Sequence, residues 1–206
     1  GNYYLSLDGK PFFGICGEAH FSRINRELWE DEIIKMKAGG LNMIATYIFW
    51  IHHEEIEGTF DFSGNKDLRL FLELCKKNHM YVILRIGPFS HGECRNGGFP
   101  DWIYGQPFDI RCDDPSYLYY TRRFYEQIYQ QAKGLLFKDN GPVIGVQLEN
   151  EHEHASCPWE MTTENSKEWV VSGHDGKNHM STLKKIAKEV GFDVPLYTAT
   201  AWGGSC

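Results

Sequence analysis

The stretch GPVIGVQLENEHEH, residues 141–154, decides how this chain is read. Val143 to Leu148 is an almost unbroken apolar run, and Glu149, Asn150, Glu151 and His152 come directly after it. A short apolar run that begins at Gly-Pro and ends in polar residues suits a strand buried on both faces. Such strands belong to parallel sheets covered by helices, so helices should alternate with strands along the rest of the chain.

They do. Residues 3–12 read as a hairpin with Asp8-Gly9 at its turn, leading into a strand through Phe12 to Gly17. Residues 25–40 read as a helix with Leu28, Ile33, Ile34 and Met36 on its apolar face and Gly39-Gly40 as its stop. LNMIATYIFW (41–50) is a strand, and 65–79 is a helix with Leu68, Leu70, Phe71, Leu72 and Leu74 on its apolar side. MYVILRIGPF (80–89) is a strand, 114–137 a long helix with Pro115 near its start, and 141–150 the strand already described. A helix over 176–192, ended at Gly191, and a strand from 194 complete the series. No linker, low-complexity segment or repeat of 20–50 residues interrupts it.

Two α/β architectures fit this alternation: an open doubly wound sheet and a (β/α)8 barrel. The first strand leads into GEAHFSR, with neither a GxGxxG fingerprint nor a P-loop, so the nucleotide-binding open sheet has no support. Polar and aromatic residues gather where strands end: Glu18 and His20, Tyr47, Trp50, His53 and Glu54, Arg85 to Glu93, Glu149 to Glu151, and Thr198 to Trp202. A barrel builds its site from the loops after every strand, and this distribution matches it. A full barrel needs about 250 residues. The 206 residues here are expected to supply roughly the first five of eight units as one partial domain over residues 1–206.

Composition narrows the function. Lys plus Arg number 21 against 28 Asp plus Glu, for a net charge of −7, and no run of basic residues occurs. A nucleic-acid partner is therefore not expected. No stretch reaches the roughly 20 apolar residues of a membrane span, so no membrane partner is expected either. The aromatic fraction of 15% suits a packed core and also a site that stacks on sugar faces. The six cysteines include no CxxC pair, and most are read as core thiols. His52-His53-Glu54 and the alternating histidines 152 and 154 invite a metal reading, but neither has the HExxH pattern. No catalytic metal and no cofactor are expected. The Arg85–Trp102 loop reads either as a sugar-contacting loop or as an ordered loop tied by an Arg85–Glu93 ion pair. Glu149 and Glu151, on alternate positions, are expected to divide the work, one projecting into the mouth and one supporting it.

Four stretches together resemble glycoside hydrolase family 35, the β-galactosidase family with a (β/α)8 catalytic barrel. They are residues 17–54, GTFDFSGNKDL (58–68), LRIGPFSHGECRNGGFPDW (84–102) and GPVIGVQLENE (141–151), in matching order and spacing. The resemblance implies a retaining, exo-acting hydrolase that removes terminal β-linked galactose. It implies that Glu151 is the general acid/base and that Asn150 holds the sugar 2-hydroxyl. It places Tyr47, His91, Gly92 and Glu93 at galactose-binding positions. A general acid near neutral pH needs burial beside a like charge, which the nucleophile would supply. The family's nucleophile is a glutamate near the end of the seventh strand, and no glutamate here matches it. The remaining barrel segment, in cis or in another chain, is expected to supply it. The sequence departs from the family pattern at Glu55, where a proline is usual, and at His91, Cys94 and His152. These departures keep glucosamine or an unusual linkage open beside galactose. A non-catalytic carbohydrate-binding barrel and a related β-glucosidase or β-mannanase are the alternatives. Saccharide-degrading systems of this kind favour a secreted or periplasmic location.

Overall fold

The computed structural model describes residues 5–7, 9–152 and 176–199. A hairpin of β1 (Leu5–Leu7) and β2 (Lys10–Phe12) precedes a five-stranded parallel sheet. The hairpin matches the expectation from Gly9, whereas Asp8 lies outside the described residues. The sheet strands are β3 (Cys16–Glu18), β4 (Met43–Tyr47), β5 (Tyr81–Arg85), β6 (Val143–Gln147) and β7 (Leu196–Tyr197). They stand in chain order, each hydrogen-bonded to the next.

That order carries the architecture. Parallel crossovers are right-handed, so a sheet that always advances in one direction puts every connecting helix on the same face. A doubly wound sheet reverses direction and covers both faces. Here α1 (Trp29–Ala38), α3 (Leu68–Lys77), α4 (Pro115–Ala132) and α5 (Gly176–Val190) pack in series, α1 on α3, α3 on α4 and α4 on α5. A short α2 (Trp50–His53) comes after β4. The main core lies between sheet and helices, with Ile44, Val82, Leu84 and Val146 from the strands meeting Trp29, Ile33, Phe71, Phe124 and Ile186 from the helices. The chain thus forms staves of a (β/α)8 barrel.

Caps fix the helix starts. Asp67 accepts from Leu70 N at 2.9 Å ahead of α3, and Asp114 accepts from Ser116 N at 2.8 Å ahead of α4, where Pro115 takes the first helical position. Several sequence expectations shift. The first sheet strand begins at Cys16, not Phe12, because residues 10–12 are used by the hairpin. The strand from 41 stops at Tyr47 and turns into α2. The third long helix, α4, ends at Ala132, ahead of Gly134, whose φ of +78° breaks it. On α1, Trp29 and Ile33 are buried while Ile34, and Leu28 just ahead of the helix, stay exposed, since one apolar stripe cannot bury both sides of the helix. Of the four described cysteines, Cys75 and Cys112 are core thiols and Cys16 is exposed.

The other sheet face carries the row that matters for chemistry. Tyr47, Arg85 and Gln147 stand in register across β4, β5 and β6, near the carboxyl ends of the strands. A bulge after Val143 brings Gln147 into that row. Without the extra residue, Val146 would stand beside Arg85.

Candidate active site

Beyond Gln147 the chain abandons strand geometry. Glu149 and Glu151 have φ of +54° and +50°, left-handed values that non-glycine residues rarely adopt. Backbone hydrogen bonds hold this turn from both sides: Leu148 N donates to Tyr197 O at 2.8 Å, Glu149 N to Gly87 O at 2.7 Å, and Glu151 N to Ala199 O at 3.0 Å. Strand alternation no longer governs the two glutamates, and their fates differ completely.

Glu149 is sealed in the core. Its oxygens accept from Arg111 Nε at 2.8 Å and Nη2 at 2.7 Å, and its Oε2 also accepts from Asn150 N at 2.8 Å. Arg111 is itself fully buried, 3.7 Å over the Phe89 ring, and donates a further bond to Asn150 O at 3.1 Å. A bidentate pair with extra bonds on both sides is the geometry that offsets the desolvation of two charges. Glu151 instead keeps 31% of its side chain exposed, with Oε2 3.6 Å from His91 Nδ1. The expected division of labour between the two glutamates therefore has a physical basis, with Glu149 as the buried support.

Asn150 lies between them, buried, at the floor of the mouth. Its Oδ1 accepts from Arg85 Nη2 at 2.9 Å, Gln147 Nε2 at 3.1 Å and Tyr47 OH at 3.2 Å. The Arg85 guanidinium stacks 3.7 Å over the Tyr47 ring and pairs with Glu18 from β3. Arg85 thus does not make the ion pair with Glu93 weighed from the sequence: its guanidinium is engaged by Glu18 and by Asn150 Oδ1. Tyr47 is nearly buried, and desolvation pushes its phenol up to about 12, so it stays a neutral hydrogen-bond donor.

The loop after β5 lies over this aromatic wall. Gly92 has φ +52°, and a Cβ there would come within 2.8 Å of Phe49 Cε1 and 3.1 Å of Tyr47 Cδ2. Only glycine lets the backbone pass so close. Ser90 N and His91 N both donate to Gly97 O, at 2.8 and 3.0 Å, which closes the loop on itself. His91 is half exposed beside Glu151, and Glu93 is exposed on the rim. Glu93 lines an open groove of about 440 Å³ together with Arg23, Ile51, His52 and Cys94.

The structure thus brings Tyr47, His91, Gly92, Asn150 and Glu151 together, with Glu93 on the adjoining groove. It removes other candidates. Trp50, His53 and Glu54 are buried beneath the site, not in its mouth. Glu54 accepts from Trp50 Nε1 and Gly58 N, both at 2.7 Å, and pairs with Arg123. His53 stacks on Phe62 and directs Nδ1 to Asp61 O at 3.0 Å, and burial lowers its pKa to about 4. His52 bonds Ser22 Oγ through Nδ1 at 2.8 Å, so the two histidines serve separate neighbours. His152 is buried and donates from Nε2 to Arg111 O at 2.8 Å, which explains why a histidine comes after Glu151. His154 and residues 200–202 lie outside the described residues. Among the described residues no cluster of three metal-ligating side chains occurs, and no helix is long and apolar enough to cross a membrane.

Comparison with known proteins identifies the family. The sequence model described as "Glycosyl hydrolases family 35" matches residues 4–198. Similar proteins include a beta-galactosidase of Xanthomonas manihotis, 37% identical over 169 residues, covering 82% of this chain and 28% of that protein. The beta-galactosidase of Mus musculus is 39% identical over 155 residues, covering 74% of this chain and 24% of that protein. This chain therefore spans about a quarter of the length of these relatives. Among solved structures, the exo-beta-1,4-mannosidase Op5Man5 from Opitutaceae bacterium strain TAV5 superposes with a TM-score of 0.64 at 15% identity, covering 94% of this chain and 33% of that one. At that identity the likeness is one of fold, the (β/α)8 barrel.

Proposed function

This chain belongs to glycosyl hydrolases family 35, and on that premise we propose that it carries the acid/base side of a retaining, exo-acting β-galactosidase. The single observation that supports the assignment of roles is the separation of the two glutamates. Glu149 has both oxygens on Arg111 and no route to substrate, whereas Glu151 stands in the mouth beside His91.

In the first step Glu151, protonated, gives its proton to the glycosidic oxygen as that oxygen's bond to the anomeric carbon breaks. A second carboxylate attacks the anomeric carbon from the opposite side and forms a glycosyl ester. In the second step Glu151, now a carboxylate, takes a proton from water. The water oxygen attacks the anomeric carbon and releases the second carboxylate. Retention requires the two carboxyl groups about 5–5.5 Å apart. Glu149 cannot be the second one, and the proposal assigns that role to a segment outside these 206 residues. Asn150 holds the sugar 2-hydroxyl, and Glu93 accepts hydrogen bonds from other hydroxyls of the galactose.

The test is made on the full-length protein. Glu151→Gln should cripple hydrolysis of galactosides with poor leaving groups most, and activated aryl galactosides should lose less kcat/KM, because their leaving group needs little protonation. Equal losses on both would remove Glu151 from the acid role. Glu93→Ala should lower kcat/KM about 10- to 100-fold, the worth of hydrogen bonds to a charged group. Unchanged kcat/KM would displace Glu93 from the site.

A further inference from the structure

The amide of Asn150 has two ends, and among the described residues only one is engaged by side chains. Its Oδ1 receives three donors: Arg85 Nη2 at 2.9 Å, Gln147 Nε2 at 3.1 Å and Tyr47 OH at 3.2 Å. A carbonyl oxygen has two lone pairs, so this one is saturated. Arginine has no acceptor, so its contact identifies the facing atom as oxygen without reference to amide orientation. Gln147 and Tyr47 can each reverse roles by an amide flip or a hydroxyl rotation, but Arg85 cannot. Among the described residues no side chain engages Asn150 Nδ2.

Arg85 is in turn fixed from two directions. Its guanidinium carbon lies over the Tyr47 ring, 3.7 Å from the ring centre, and Nη1 is held by Glu18. Sheet register makes this possible: Glu18 pairs with Ala45 on β4, and Tyr47, two residues on, pairs with Arg85. Residues at such spacing share a sheet face.

We propose that Arg85, braced by Glu18 and Tyr47, is a positioning residue that sets the Asn150 amide with Nδ2 toward substrate, so that the site requires a sugar hydroxyl able to accept a hydrogen bond there. This rests on the reading that Asn150 holds the 2-hydroxyl. An unbraced asparagine can turn over and present Oδ1, which can only accept the hydroxyl's proton and cannot donate to its oxygen. Lysine at position 85 keeps the charge but has no planar fork, so it cannot hold Glu18 and Asn150 together while lying on a ring.

The experiment compares an aryl β-galactoside with its 2-deoxy counterpart on the full-length protein. The ratio of their kcat/KM values does not depend on the fraction of correctly folded enzyme. The wild type should favour the 2-hydroxy substrate strongly, because this contact strengthens in the transition state. Arg85→Lys and Arg85→Gln should lower kcat/KM on the 2-hydroxy substrate by about 10- to 100-fold, mostly in kcat, and leave the 2-deoxy substrate nearly unchanged. Asn150→Ala should give the same collapsed ratio. If either soluble Arg85 variant keeps the wild-type ratio while Asn150→Ala loses it, the positioning role is wrong and the Asn150 reading stands. If the wild type does not discriminate, or Asn150→Ala does not alter the ratio, the Asn150 reading fails and the proposal with it.

Discussion

Glu149 and Glu151 are two positions apart, yet Arg111 draws one into the core and leaves the other at the mouth. The left-handed backbone at both residues, each on the order of 1 kcal/mol above an ordinary conformation, persists because the buried ion pair and the bonds to Gly87 and Ala199 hold the turn. Arg111→Met should therefore be severe. It leaves Glu149 charged and unpaired in the core, and we expect a loss of about 3–5 kcal/mol in denaturant unfolding of the full-length protein. A loss below about 1 kcal/mol, the worth of an exposed pair, would mean that the pair does not support the turn. At this scale the sequence was only partly legible. Glu151 and Asn150 could be located because an apolar strand runs straight into them. Arg111 could not, because nothing in a loop 38 residues upstream of Glu149 marks an arginine as buried. The left-handed turn was equally hidden, since no glycine signals it.

At the scale of elements, β4 and β5 were legible from their apolar runs, α3 from its apolar side and α4 from Pro115 near its start. The segment after β4 was not. His53 and Glu54 looked like mouth residues because they come after a strand, but at the end of α2 they are buried, His53 on Phe62 and Glu54 paired with Arg123. This burial has a consequence for acid stability. The folded pKa of His53 is about 4 against an ordinary value of 6.5, because burial disfavours the imidazolium. The unfolded chain takes up the proton first, so stability is full above pH 6.5 and declines as pH falls toward 4. His20, His52 and His179 are lowered as well, by burial first, and act with the same sign. His53 alone should contribute a loss of about 3 kcal/mol across that window. His53→Phe, which keeps the stack on Phe62, should flatten the pH dependence of the denaturation midpoint between pH 6.5 and 4. An unaltered slope would mean that His53 is protonated in the native state. The cap of α3 gives a second check. Asp67→Ala should cost about 1 kcal/mol without changing the unfolding m-value.

At the scale of the molecule, a parallel sheet alternating with helices was legible from the periodicity, and the barrel, with its helices on one face, from the missing glycine fingerprint and from where polar residues gather. Among the described residues, both ends of the sheet carry exposed apolar side chains. Beside β3, Phe13 is 82% exposed and Ile15, Leu28 and Ile34 are about half exposed. Beside β7, Leu148, Met180 and Leu196 wall a cavity of about 180 Å³, and Tyr197 is exposed. Unpaired strand edges flanked by apolar side chains pair with other chains. Residues 1–206 produced alone should self-associate in sedimentation at micromolar concentration, and a longer chain that adds the later strands should lose this behaviour. A monodisperse, stable monomer of the short piece would show that the sheet ends need no cover.

Glu151 as the acid/base of a retaining galactosidase is the central claim, and one measurement addresses it directly. The full-length Glu151→Ala protein is given an activated aryl β-galactoside with and without azide. The expected result is slow turnover that azide accelerates, with β-galactosyl azide as product. Azide needs no general base and attacks the glycosyl ester from the face that water would use. An α-galactosyl azide would make Glu151 the nucleophile, and turnover equal to wild type without azide would remove it from the chemistry altogether.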